Sequence, residues 1–191
     1  MRLANKRVMV TQSDDYMGPA ITSLFSTEGA QVTTREKPVP TGKAFSTWVR
    51  EMPLYDVVVA NLAHDPCSSA VDNIDNEDWQ ALFEKLVHPL MHIVRHFAPK
   101  MAEHGYGKII AITSAAPPRG IPGSTAYCAA RGAQNAFIRA TGLEFAARGV
   151  NINAVAQNYA SNPAYFPDDL VASDFIVGQV VPFSGGWATN T

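Results

Sequence analysis

Ser114, Tyr127 and Arg131 are the residues of this chain whose types and spacing can do chemistry together. Tyr127 follows Ser114 by thirteen positions, and Arg131 follows Tyr127 by four. The last two stand at i and i+4, so on a helix their side chains share a face. A guanidinium stays protonated at any working pH. Its permanent charge favours the anionic form of a phenol beside it. A serine hydroxyl can donate to a substrate oxygen or hold it in place. Together the three form a general base matched to taking the proton of an alcohol. The plainer reading is an outward arginine and a core tyrosine on an ordinary helix. The apolar run that ends at Ser114 and the long helix that carries Tyr127 weigh against it.

The elements that must position these residues alternate along the chain. Short apolar runs at 8–11, 30–34, 56–61, 108–113, 150–155 and 176–183 read as strands. Helical spacing occupies 19–28, where Ile21, Leu24 and Phe25 share a face and Gly29 stops the helix, and 45–50. A long helix starts at Asn76, expected as its cap, with Glu77 and Asp78 in the first turn. It runs to about Met101, and Pro89 inside it should kink or divide it. Residues 125–147 form the next long helix, ended by Gly149. Apolar strands alternating with helices predict an α/β fold: a Rossmann-like, doubly wound parallel sheet in a three-layer αβα arrangement, one domain over 1–191. Ligands in such sheets bind beyond the carboxyl ends of the strands, near the point where strand order reverses. The loops after Val10, Asn61, Thr113 and Val155 should therefore meet at one site.

The first of those loops reads Thr11-Gln12-Ser13-Asp14-Asp15-Tyr16-Met17-Gly18-Pro19. A nucleotide-binding turn needs glycines so that the backbone can approach a pyrophosphate, and only Gly18 is present. Asp14 and Asp15 oppose a diphosphate by like charge, though at least one should point to solvent. Tyr16 fills volume that a dinucleotide needs.

Ser114, Tyr127 and the long helix resemble the short-chain dehydrogenase/reductase superfamily, with its Ser-x12-Tyr-x3-Lys pattern. Ala60-Asn61-Leu62-Ala63 resembles that family's Asn-Asn-Ala-Gly segment. Val177-Gly178-Gln179 through Gly185-Gly186 resembles its last strand and Gly-Gly turn. Arg131 stands where those oxidoreductases have the lysine that also holds the nicotinamide ribose. With the altered turn, this resembles the halohydrin dehalogenases, in the subgroup with an acidic-Tyr-Met-Gly turn. Val87-His88-Pro89-Leu90, Ala156-Gln157-Asn158-Tyr159, residues 162–166 and the tail extend that resemblance.

The resemblance implies a cofactor-independent carbon–halide lyase. It would turn vicinal halohydrins into epoxides and halide, and open epoxides with small anions in reverse. It assigns Tyr127 as acid and base on the substrate oxygen, Ser114 as its holder and Arg131 as the cation beside Tyr127. Tyr16, Gln157, Asn158, Tyr159 and Ala160 would line the halide pocket, with Gln157 replacing the family's usual proline. It also implies a homotetramer. The family carries a further helix between its last two strands. Here only 156–175, containing Pro163 and Pro167, joins them, so the segment near 170–175 is expected to be shortened or missing. Two alternatives stand beside this reading. One is an atypical NAD(P)-dependent oxidoreductase, which requires the 11–19 turn to bind the dinucleotide. The other is a non-catalytic member of the fold, against which Arg131 speaks, since decay has no reason to select another permanent cation.

Several features are set aside. The chain has 191 residues, 47% hydrophobic and 17% charged, with net charge −2, an ordinary globular composition with no footprint for nucleic acid. Cys67 and Cys128 lack metal or redox spacing and read as free thiols. The N-terminal apolar stretch is too short for a signal peptide. No run approaches the roughly 20 residues of a membrane span, so a cytoplasmic, membrane-free protein is expected. His88, His92 and His96 share a helix face, but no thiol or carboxylate completes a metal site, and a face in solvent or at a subunit contact is expected. Trp48, Trp79 and Trp187 read as packing. Residues 120–123 read as a shaped loop, over the pocket or simply on the surface.

Overall fold

The structure, a computed structural model, describes residues 1–50, 52–64, 69–157 and 178–183. Its strands are β1 (Arg7–Thr11), β2 (Gln31–Arg35), β3 (Val57–Asn61), β4 (Gly107–Ser114), β5 (Val150–Gln157) and β6 (Val180–Phe183). They form one parallel sheet in the order β2-β1-β3-β4-β5-β6. The chain steps outward from β1 to β2 and then returns past β1 to β3. The reversal therefore lies between β1 and β3, and β5 and β6 are parallel neighbours as expected.

Alternating side chains divide the sheet into two covered faces. Val8, Val10, Val57, Val59, Ile110 and Ile112 pack with Ile21 and Phe25 of α1 (Gly18–Thr27). Met9, Val58, Ala60, Ile109 and Ala111 face the other layer, which holds α2 (Gly42–Val49), α3 (Asn76–Leu82), α4 (His88–Glu103) and α6 (Thr125–Ala146). β3, β4 and β5 are buried along their whole length, whereas β2 at the edge is only partly covered. Trp48 and Trp79 pack against the core, as expected of packing residues.

The structure refines several sequence-based boundaries. The cap of α3 is Asp75, whose carboxylate accepts from the Asp78 N–H at 2.7 Å; Asn76 is the first helical residue. Aspartate and asparagine cap almost equally well, so composition alone does not separate the two. Pro89 divides the long helix as expected. It follows a π-helical turn, Phe83–Val87, that separates α3 from α4. Proline has no N–H and its ring excludes the carbonyl four residues back, which breaks the regular ladder. A short helix, α5 (Ala116–Arg119), follows β4, and left-handed Gly120 and Gly123 shape the loop after it. His92 lies in neither solvent nor an open face: it is buried and stacks on Phe45 of α2. The expected shortening near 170–175, together with Cys67 and Trp187, lies outside the described residues.

Candidate active site

The loops at the carboxyl ends of the strands are tied to one another in sequence. The Asn61 amide donates to the carbonyls of Gln12 and Asp15, both at 2.9 Å, and Thr11 Oγ1 donates to Asn61 O at 3.1 Å. Beyond β3, Ser69 N–H donates to Gly123 O at 2.6 Å. Beyond β4, Ala115 N–H donates to Gln157 O at 2.9 Å, continuing the register that pairs Ser114 with Gln157. The ends of β1, β3, β4 and β5 are thus tied into one rim among the described residues.

Three side chains from α6 share its buried face at i, i+4 and i+7: Tyr127, Arg131 and Gln134. Arg131 is 1% exposed. Its Nε donates to the Tyr127 hydroxyl oxygen at 3.1 Å. Its Nη1 donates to Ile112 O in β4 at 3.2 Å and to Gln134 Oε1 at 3.0 Å. All three acceptors are neutral, and among the described residues no carboxylate pairs with this cation. A buried charge without a counter-ion is costly, and it favours any anion that forms beside it. Ser114, at the end of β4, is buried, and its Oγ accepts from Ala116 N–H at 3.1 Å. That bond uses an oxygen lone pair and leaves the hydroxyl proton free to be donated.

Gln157 ends β5 and is 2% exposed, and among the described residues its Nε2 has no hydrogen-bond partner. A buried N–H donor without an acceptor is a candidate anion contact. Tyr16 is 47% exposed over its whole surface, yet its phenol is desolvated. Burial pushes its pKa up to about 12, the Arg131 guanidinium pulls it down and Tyr127 adds to the rise. These couplings place the Tyr16 phenol electrostatically with the Tyr127–Arg131 pair. Asn158, Tyr159 and Ala160 lie outside the described residues.

The turn between β1 and α1 carries a single glycine, Gly18, where a dinucleotide-binding turn needs several. Gln12 and Tyr16, neither of them glycine, occupy left-handed backbone at φ 43° and 52°. Asp14 and Asp15 are both exposed at its rim, as expected. Gly18 is required for packing: a Cβ there would meet Ser13 O at 2.5 Å and Gln12 O at 2.6 Å. Among the described residues no cluster of His, Cys, Asp or Glu could hold a metal ion. No helix among them is long and apolar enough to cross a membrane. Sequence reasoning missed Gln134; its place on the helix face of Tyr127 and Arg131, three residues after Arg131, was the available signal.

Comparison with known proteins decides the family. The family model described as short chain dehydrogenase matches residues 31–164, more than half of the chain. This chain belongs to the short-chain dehydrogenase family. Among family members it is 36% identical over 98 residues to Nodulation protein G of Azospirillum brasilense, covering 51% of this chain and 37% of that protein. The chain thus spans little more than a third of that relative's length. It is 29% identical over 192 residues to Glucose 1-dehydrogenase of Gluconobacter oxydans, covering 85% of this chain and 72% of that protein. Solved structures share the fold, two of them dehalogenases by description. A "Dehalogenation enzyme" aligns with TM-score 0.81 at 24% identity, over 98% of this chain and 100% of that one. A "Halohydrin dehalogenase (HheC) bound to ethyl (2S)-oxiran-2-ylacetate" aligns with TM-score 0.80 at 19% identity, over 97% and 98%. At these identities the likeness concerns the short-chain dehydrogenase fold.

Proposed function

We propose that this chain is a halohydrin dehalogenase that needs no nicotinamide cofactor. The observation that carries the reading is Arg131: a buried cation with neutral acceptors only, its Nε on the Tyr127 oxygen. Support comes from the turn at 11–18, which lacks the glycines a diphosphate needs, and from one fold neighbour, a halohydrin dehalogenase bound to an epoxide.

The chemistry follows from the side chains. Ser114 donates its free proton to the substrate oxygen and orients it. Tyr127 takes the hydroxyl proton of a vicinal haloalcohol, and Arg131 stabilises the charge carried on the phenol oxygen. The substrate oxygen attacks the neighbouring carbon from the side opposite the halogen; a C–O bond forms as the C–halogen bond breaks, and the halide leaves with the bonding pair. The proton on Tyr127 passes to solvent. Epoxide, halide and proton result, with no change of oxidation state. The halide is received by the Gln157 Nε2–H and the Tyr16 hydroxyl, with Asn158, Tyr159 and Ala160 assigned to the same task by the family resemblance. In reverse, a small anion in that pocket opens an epoxide. The protein supplies position and proton transfer.

The test is chloride and proton release from 1,3-dichloro-2-propanol. Stoichiometric release is expected from the wild type, with a loss of about 10²–10⁴-fold in Tyr127→Phe. No release, or release that survives Tyr127→Phe, removes the reading. The names of the sequence relatives, Glucose 1-dehydrogenase among them, favour a redox enzyme instead. Tight binding of NADH or NADPH, with oxidation or reduction of an alcohol–ketone pair, would establish that reading.

A further inference from the structure

We infer that Gln134 is a positioning residue that aims Arg131 at Tyr127 and locks that aim to the π turn at Phe83–Val87. The inference rests on Tyr127 and Arg131 performing the chemistry proposed above.

Gln134 is 0% exposed. A buried amide must satisfy both its ends, and here both ends have unambiguous partners. Oε1 accepts from Arg131 Nη1 at 3.0 Å, and Nε2 donates to Leu86 O at 2.7 Å. Arginine can only donate and a backbone carbonyl can only accept. The amide orientation is therefore dictated by chemistry: a flipped amide would set donor against donor and acceptor against acceptor.

The consequence falls on the guanidinium plane. Arg131 Nη1 is held between Ile112 O of β4 and Gln134 Oε1. Two anchors on one nitrogen leave little freedom about the long side chain, and Nε is the atom left facing Tyr127. Without Gln134, the single bond to Ile112 O permits the plane to turn. Leu86 lies within the π turn that precedes Pro89. Proline at that site breaks the regular ladder, and Gln134 supplies a donor to a carbonyl of the irregular turn. The Leu86 carbonyl of the π turn, the amide, the guanidinium and the phenol thus form one connected chain of buried contacts. A lysine at 131 could not use it, since one ammonium cannot reach three acceptors in the planar geometry of a guanidinium.

Gln134→Leu and Gln134→Glu test this. The first removes both bonds at similar volume. The second keeps an acceptor for Arg131, loses the donor to Leu86 and adds a negative charge. Two measurements are made: kcat and KM for halide release across pH, and hydrogen exchange of the Arg131 Nε–H by NMR. That NMR signal is identified by its loss in Arg131→Lys. In Gln134→Leu, kcat falls roughly ten- to hundredfold with KM within about twofold, and Nε–H exchange rises at least about tenfold. In Gln134→Glu, the pH profile of kcat moves to higher pH, because a carboxylate on Arg131 offsets its field at Tyr127. Should Gln134→Leu not fold, the isosteric Gln134→Glu carries the test through the same two readouts. Wild-type exchange and wild-type kcat in both variants overturn the inference. So do equal losses in both variants with an unmoved pH profile and unmoved exchange, which would mark Gln134 as a packing residue only. Faster exchange in Gln134→Leu, with a wild type that releases no halide, sustains the positioning role and sinks the dehalogenase reading instead.

Discussion

Arginine at 131 differs from lysine in what it can hold at once: Tyr127, Ile112 and Gln134 are reached from two nitrogens of one planar group. Its charge is buried among neutral acceptors, so it favours an anion beside it. Tyr16 lies in the same electrostatic neighbourhood. Its phenol, pushed up to about 12 by burial, keeps its proton across the working range and can donate to a leaving halide. Tyr16→Phe is expected to weaken halide binding by about fivefold, the worth of one hydrogen bond. Because the folded pKa is raised, the donor is present below that value and lost above it. The ratio of wild-type to variant halide affinity should hold from about pH 7 to 10 and shrink toward 12. Product-inhibition constants measured across pH check this, and a ratio that collapses between about pH 7 and 9 contradicts it.

Among the elements, the contact of α2 with α4 carries the clearest pH dependence. His92 and His96 both have lowered pKa values. Burial is the first cause for each; Arg95 and His88 add for His92, and Lys100 adds for His96. Gly42 N–H donates to His92 Nε2 at 3.2 Å and Arg95 Nη2 lies 2.8 Å from Nδ1; the neutral ring accepts on one nitrogen and the charged ring on neither, so protonation removes an acceptor. The sign is fixed by linkage. Below the ordinary value of 6.5 the unfolded chain takes up protons that the folded protein refuses. Stability is therefore full above that pH and falls as pH drops toward the depressed folded values. The urea midpoint is expected to decrease from about pH 7.5 to 5.5, and His92→Gln should flatten the decrease. Identical slopes in the two proteins would exclude His92 as a cause.

For the whole molecule, the parallel sheet brings residues distant in sequence to one rim: Tyr16 after β1, Ser114 after β4, Tyr127 and Arg131 on α6, Gln157 at the end of β5. A site assembled from so many elements exists only in the folded state, so an anion that fills it stabilises the fold by mass action. Bromide at ten times its dissociation constant should add about 1.4 kcal/mol. In a chain of this size that is a Tm rise of roughly 3–5 °C. Sodium gluconate at equal ionic strength should give no such rise, and Arg131→Met should abolish the difference. Thermal melts in the two salts read this directly; equal shifts would show a general salt effect and no halide site.

The amino-acid sequence by itself determined the parallel α/β sheet, because apolar runs of strand length alternating with helical periodicity leave few other ways to bury both faces. It also determined that Tyr127 and Arg131 would meet, because the helical repeat places i and i+4 side by side whatever surrounds them. The divided helix at Pro89 was legible for the same local reason. What surrounds the pair was decided only by the tertiary structure. Gln134 is one of several polar residues on the buried face of α6, and its role is set only when Leu86 arrives from another helix to accept from it. Gln157 becomes a candidate anion donor only once burial leaves its Nε2 without a partner. The burial of His92 likewise needed α2 to fold across α4. Local periodicity is a property of neighbouring residues, whereas burial and hydrogen-bond satisfaction depend on which distant segments arrive, and one strand of text does not contain that.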